Sequence, residues 1–595
     1  MNDQAPAVPL TPGALSSDCT DSPLARDCAG LDFYAIDRSL QDLLGIYLDA
    51  KTRAHFEPHY KRLGVLAGGR LDEIARIADR NGPVLRARDR FGRDEDWIEY
   101  HPAYREMEGI AFGDFQFHAM SHRAGVLGFD KPLPAVAKYA FTYLFVQAEF
   151  GIMCPISVSD TSAHLIRRYA SPELKAYLLP RMISGDMATL WKGTQFMTEK
   201  AAGSDVGQVE TIARREGGGW RLYGEKWFCS HTDADVALML ARPEGAPGGT
   251  AGLALFATPR HLRDGRRNSY RIVRLKDKMG TKSMASGEIR FEGAEAYLVG
   301  DERRGLKQMM DQVNLSRLSH GVRAASMMRR CLNEALAAAR SRRAFGTEVV
   351  NHPLMRRQLM KLLVPAEQAL SMAMLTAGTM DRETAGDNDA AALMRILTPL
   401  IKLRACRDNI KVATGAMEVR GGNGYIEEWV NPRLVRDAHI GVLWEGTSNI
   451  NAIDVVRRAV GNVGADEALE RFLAKKIEEA ASLPAAFLQR LVALNARAFA
   501  FARHVARDAA SERHARVAAS GLYNIASAVM LAWEATRLGV DARRALVSRM
   551  VVEHRLTPVD PLAPADVAWE REAVTHLLDS KPLALATVAP LLVAT

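Results

Sequence analysis

The 595-residue chain has only six cysteines, Cys19, Cys28, Cys154, Cys229, Cys331 and Cys406, with no CxxC pair and no histidine at ligand-like spacing beside them. Such scatter argues against a disulfide framework and against a zinc site, and it fits a reduced, cytoplasmic compartment. No run of eighteen or more apolar residues occurs, so no membrane span is expected. The first thirty residues mix Pro, Ser and Asp and lack both a basic start and an apolar stretch. Residues 1–34 therefore read as a flexible leader without an export signal. Repeats at solenoid spacing are missing. A formal charge of +8 invites an anionic partner, such as nucleic acid or a phosphorylated substrate, yet there is no continuous basic tail. Residues 461–595 hold 16 Lys+Arg against 15 Asp+Glu, so the excess sits earlier in the chain.

The composition, 48% hydrophobic and 25% charged, is that of ordinary globular protein, too long for one core. Apolar residues at three- and four-residue steps mark helices in 40–56, 69–82 and 135–151, and a Ser-Pro start opens another at 171–185. Between about 190 and 300 short β-rich runs alternate with Gly-rich turns. Helical periodicity then returns, with a run from 305 to 341 that would span about 55 Å. The expected fold class is α+β, mainly α: an N-terminal helical domain (35–190), a central β domain (191–301), a C-terminal four-helix-type bundle (302–462) and an additional helical domain (463–595).

Five short motifs carry chemistry. In WEGTSN, Glu445 precedes Gly446, with Thr447 or Ser448 as the cap of the next helix. A carboxylate on a bend beside Leu443 and Trp444 is a candidate general base with a raised pKa; the blander account is a Glu that favours a helix N-terminus. GGNGY (421–425) offers backbone N–H groups to a diphosphate, or simply terminates a helix. RRAFG (342–346) places two arginines where they either bind an anion or complement a helix dipole. TEKAAGSDVG, from Thr198, supplies hydroxyls and a glycine, or forms a turn. In GEKWFCS an aromatic pair and Ser230 alternate along a strand, which suits either a core or a cofactor wall.

In their order and distances, Thr198-Glu199 with Gly203-Ser204-Asp205, the GEKWFCS strand, Arg317, RRAFG, GGNGY and WEGTSN resemble the FAD-dependent acyl-CoA dehydrogenase family over roughly 100–460. The run 274–300, TEK in place of the usual TEP and the extra C-terminal block look most like its alkylation-response, AidB-type branch. The resemblance implies Glu445 as the base that removes the α-proton of a thioester while FAD takes the β-hydride. Ser316, beside Arg317, rules out the alternative carboxylate position used by some members. It further implies Met197, Thr198, Phe228 and Ser230 against the flavin ring, with Gly203 and Ser204 near phosphates. Arg342, Phe345, Gly421 and Gly422 fall at the FAD diphosphate and adenine end, partly from a neighbouring subunit. Thr447 joins the cofactor set, and Ser204, Arg317 and Gly446 the substrate set; no metal is implied. Expected partners are an acyl-CoA, an electron-transfer flavoprotein and a second copy of the chain, as dimer or tetramer. Lys200-Ala201 in place of Pro-Gly, Phe228 for Trp and Ala344 for a hydroxyl residue depart from the family pattern. Two other readings stay open: a flavin-bearing DNA-binding stress protein, with Arg543, Arg544 and Arg549 as a local basic cluster or a solvated face, and an oxidase that admits O₂.

Overall fold

The computed structural model describes residues 24–558, 560, 562, 568–579 and 581–593. Asp37 and Asp49 cap helices α1 (Arg38–Tyr47) and α2 (Ala50–Gly68), each carboxylate accepting a backbone N–H of the first turn. The periodic stretch 40–56 is thus two helices, because Leu48 is extended and Asp49 starts a new one. The leader expected over 1–34 also needs correction, since Cys28, Phe33 and Tyr34 are buried; residues 1–23 lie outside the described residues. Burial of these apolar groups fixes the chain well before residue 35. After α3 (Arg70–Arg80) comes a hairpin, β1 (Val84–Arg88) with β2 (Asp94–Glu99), inside a region expected to be helical. The helices α4 (Pro102–Glu108), α5 (Ala135–Val146), α6 (Met153–Tyr169) and α7 (Pro172–Met182) follow. All twelve residues of α5 are buried, as suits a helix apolar on every side.

The sheet is built from β3 (Gly193–Phe196), β4 (Ile212–Glu216), β5 (Gly219–Ser230), β6 (Val236–Pro243), β7 (Ala254–Pro259), β8 (Tyr270–Leu275) and β9 (Ser286–Leu298). Strands β6, β4, β5, β9 and β7 pair in turn, and β7 pairs back onto β6, so they close a ring; β3 adds in parallel to β6, and β8 antiparallel to β9. Closure leaves few open edges. Phe196, Trp220, Phe256 and Phe291 are among the buried residues that give this domain a core of its own.

Helix α8 (Gly305–Ser341) runs unbroken for 37 residues. A short hairpin, β10 (Arg343–Ala344) and β11 (Thr347–Glu348), leads to α9 (Pro353–Thr384) and α10 (Ala390–Arg420), and then to α11 (Asn431–Ile440) and α12 (Ser448–Ile453). The last block comprises α13 (Ala465–Glu479), α14 (Ala485–Arg507), α15 (Ala515–Arg537), α16 (Arg543–Val551), α17 (Ala568–Leu578) and α18 (Leu585–Val593). Its apolar residues share one continuous core with the bundle and the N-terminal helices. A buried ion network crosses the junction: Arg544 of α16 bonds Glu534 on α15 and Glu367 on α9, each at 2.9 Å. Arg549 is buried as well, stacked over Trp569. Neither a solvated arginine face nor an outward basic cluster forms from Arg544 and Arg549, because burial against carboxylates and an aromatic ring is the stronger pairing. The segment 509–537 is long and apolar enough to cross a membrane, but most of it is buried inside the protein as a core helix.

Candidate active site

Glu445 lies on the bend between α11 and α12 with φ 52°, in the left-handed region that costs a non-glycine residue about 1–3 kcal/mol. Three side chains hold the bend in place by donating to its carbonyls. Arg317 Nε on α8 donates to the Glu445 carbonyl at 3.3 Å. Lys402 Nζ on α10 donates to that of Gly446, and Asn451 Nδ2 on α12 reaches the carbonyls of Gly446 at 2.7 Å and Thr447 at 2.9 Å. Arg317 is itself fixed by Asp454 at 2.6 Å, which also pairs with Arg395 at 2.7 Å. Gly446 has φ 91°, and a Cβ there would meet Ile450 at 3.0 Å, so glycine is required.

The carboxylate of Glu445 accepts hydrogen bonds from Gln195 Nε2 on β3 at 2.7 Å and Ser316 Oγ on α8 at 3.0 Å, both on Oε1. Burial pushes its pKa up, against the opposing pull of Ser316, Arg317, Lys402 and Arg323. Gln195 connects Glu445 to the sheet. Two residues on come Met197 and Thr198, both half-buried, and the Thr198 carbonyl accepts from Trp227 N–H at 2.8 Å. The pairing of β5 with β9 slips between Lys226 and Cys229, and at this bulge Phe228 stands 56% exposed. Further along, the Ser230 carbonyl accepts from Thr194 Oγ1 at 2.7 Å. Glu445, Gln195, Thr198, Phe228 and Ser230 are therefore linked across β3 and β5.

Glu199, next to Thr198, has a different task. It is buried and bonded to Lys226 Nζ at 2.6 Å and to Thr211 Oγ1 at 2.5 Å, so it pins the loop onto the sheet. Gly203 and Ser204 are exposed, and a Cβ on Gly203 would meet nothing within 4 Å. Thr447 occupies the N-cap position of α12, but its hydroxyl makes no capping bond and stays exposed. Arg317 is buried and bonded to Asp454 and the Glu445 carbonyl, so it supports the bend.

Arg342, Phe345, Gly421 and Gly422 gather elsewhere. Arg342 ends α8 and Gly421 ends α10; Gly421 has φ 75°, and a Cβ on it would meet Arg342 Nη1 at 3.0 Å. Phe345 beside them is 97% exposed. Arg342 follows Arg317 by 25 residues along α8, about 37 Å by helical rise. Gln195, Lys402 and Asn451 were not singled out in the sequence.

Family models match the chain in three consecutive stretches: the adaptive response protein AidB N-terminal domain over 24–187, the acyl-CoA dehydrogenase middle domain over 194–294 and the acyl-CoA dehydrogenase C-terminal domain over 303–460. The chain is 33% identical to the AidB protein of Escherichia coli (strain K12) over 395 residues, 65% of this chain and 70% of that protein. It belongs to the acyl-CoA dehydrogenase family. Acyl-CoA dehydrogenase family member 11 of Caenorhabditis elegans is 31% identical over 65% of this chain and 64% of its own length. A crystal structure of C. elegans ACDH-11 in complex with C11-CoA superposes with a TM-score of 0.80 at 25% identity, covering 90% of this chain and 93% of that one. Members of the family are FAD-dependent flavoproteins and oxidoreductases acting on CH–CH groups. The residues present suit that cofactor. Phe228 offers an exposed aromatic ring, the buried Gln195 Oε1 has no hydrogen-bond partner, and Arg342 lies against the open Gly421-Gly422 turn.

Proposed function

We propose that the chain α,β-dehydrogenates an acyl-CoA thioester with Glu445 as the base. The observation that carries this reading is the Glu445 carboxylate, fixed on a left-handed bend, pushed toward neutrality by burial and hydrogen-bonded through Oε1. Oε2 takes the α-proton, and the raised pKa makes that transfer less uphill. The Glu445 backbone N–H donates to the thioester carbonyl oxygen, where negative charge develops. Arg317, Lys402 and Asn451 keep the bend from relaxing during the transfer. When bound, FAD supplies the acceptor for the β-hydride. Met197, Thr198, Phe228 and Ser230 would hold its ring, Gly203 and Ser204 would lie near its phosphates, and Thr447 would join the cofactor set.

Arg342, Phe345, Gly421 and Gly422 lie too far along α8 and α10 to reach the same FAD in one chain, which supports a homo-oligomer, at least a dimer, in which they serve a partner's cofactor. Electrons pass on to an electron-transfer flavoprotein. The test is anaerobic titration of the flavin-loaded protein with a panel of acyl-CoAs, run beside Glu445→Gln. Rapid bleaching of the visible flavin band, lost in the variant, is expected. A yellow protein that no thioester bleaches, or a variant as fast as the parent, refutes the assignment.

A further inference from the structure

Beyond the base, α8 carries a second polar group with no evident work. Ser316, His320 and Arg323 follow at four- and three-residue spacing and so share one face of the helix. Ser316 holds the Glu445 carboxylate at 3.0 Å. His320 packs on Trp444, the residue before the base, with ring centroids 5.4 Å apart. Arg323 is 1% exposed, with its guanidinium 5.5 Å from the Phe150 ring and 6.0 Å from Trp444. Side chains on a helix lean toward its N-terminus, which directs Arg323 back toward Glu445.

The contacts of Arg323 leave it incomplete. It donates to the Ser319 carbonyl at a long 3.4 Å and to His320 Nε2 at 3.3 Å, while Nη1 has no partner. Because His320 Nε2 accepts, its proton sits on Nδ1, which is also buried without a partner. The acidic groups that act on Arg323 are Cys154, Cys406, Tyr139 and Glu445. Burial keeps both thiols and the phenol protonated, so Glu445 is the one carboxyl group among them, and burial pushes it toward its neutral form. A buried guanidinium without its own carboxylate is costly, and the aromatic faces of Phe150 and Trp444 do not satisfy an N–H. Two orphan donors beside the base mark a place for an oxygen acceptor.

Resting on the dehydrogenase reading above, we propose that Arg323, seconded by His320, binds a carboxylate at the far end of the acyl group, so that the substrate is the CoA monothioester of a short dicarboxylic acid. The rise from Ser316 to Arg323 is about 10 Å along α8, which keeps the chain short. Arg323 would then be a specificity residue that leaves the chemistry to Glu445.

The experiment measures binding, by calorimetry on the flavin-loaded protein, of non-reducible CoA thioethers with five- and six-carbon chains ending in either a carboxylate or a methyl group. Flavin bleaching by glutaryl-, adipyl-, valeryl- and hexanoyl-CoA runs in parallel. The expected result is a carboxylate preference of about 10- to 100-fold, as for a charged hydrogen bond, abolished in Arg323→Met and partly kept in Arg323→Lys. Thermal melts and the flavin spectrum confirm that both variants fold. Equal binding, a preference for the methyl end, or a preference that survives Arg323→Met overturns the proposal. Because the thioethers report without turnover, a protein whose flavin no thioester bleaches fails the dehydrogenase reading separately.

Discussion

Replacing Lys402 by Met separates the electrostatics of the base from the stability of the fold. Lys402 is 1% exposed, and burial pulls its pKa down from 10.5 to about 8. Between those values the unfolded chain binds the extra proton, so the penalty this lysine places on folding is full below pH 8 and fades as pH rises toward 10.5. The shift corresponds to about 3 kcal/mol. Lys402→Met removes that penalty and also removes the bond to the Gly446 carbonyl, which contributes about 1.5–3 kcal/mol. The two nearly cancel, and the melting temperature at pH 7 should move by only a few degrees. Activity should respond differently. Lys402 favours the ionised form of Glu445, so its loss raises the base's pKa by about 1 unit. The acid limb of the pH profile of kcat/KM then moves to higher pH by the same amount. Stopped-flow flavin reduction across pH, with calorimetric melts alongside, checks both. A limb that stays in place in a folded variant refutes the electrostatic argument, and a collapse in melting temperature refutes the cancellation.

Ser316→Ala removes a donor to Glu445 Oε1, so the acid limb should also move up, by about 1 unit, with a stability loss of about 1 kcal/mol at alkaline pH that fades on the acid side; a downward shift would contradict the assigned role. Arg544→Met leaves Glu367 and Glu534 buried without their shared cation and should lower stability by about 3–5 kcal/mol in urea unfolding, whereas a loss under about 1 kcal/mol would sever the last block from the common core. Burial and Asp79 raise the Asp437 pKa from 3.8 to about 7. The folded chain therefore holds a proton that the unfolded chain releases, and stability falls as pH rises from 4 to 7. Asp437→Asn keeps an acceptor for Thr281 N–H, so it should raise the melting temperature at pH 8 and leave it unchanged near pH 4. Equal shifts at both pH values would refute this account.

Much of the architecture was legible because its signals are local. The apolar steps of 305–341 specify α8, and the Gly-punctuated β-rich runs of 190–300 specify the sheet. Where the reading of the sequence failed, a local signal was outweighed by packing. The leader was assigned from its polar composition, yet Cys28, Phe33 and Tyr34 find a place in the core. Arg544 and Arg549 looked like surface charge, and nothing near them in sequence announces Glu367 or Trp569, which lie on other helices.

The site divides in the same way. By itself the sequence determined the proposed base and the glycine that lets its bend form, since Glu445 and Gly446 are neighbours and their backbone preferences are their own. Only the tertiary structure decided how that base is tuned, because Gln195, Ser316, Arg317 and Lys402 come from one strand and two helices up to 250 residues away. The force that raises the Glu445 pKa is exclusion of water, which belongs to the assembled core and to no short stretch of chain.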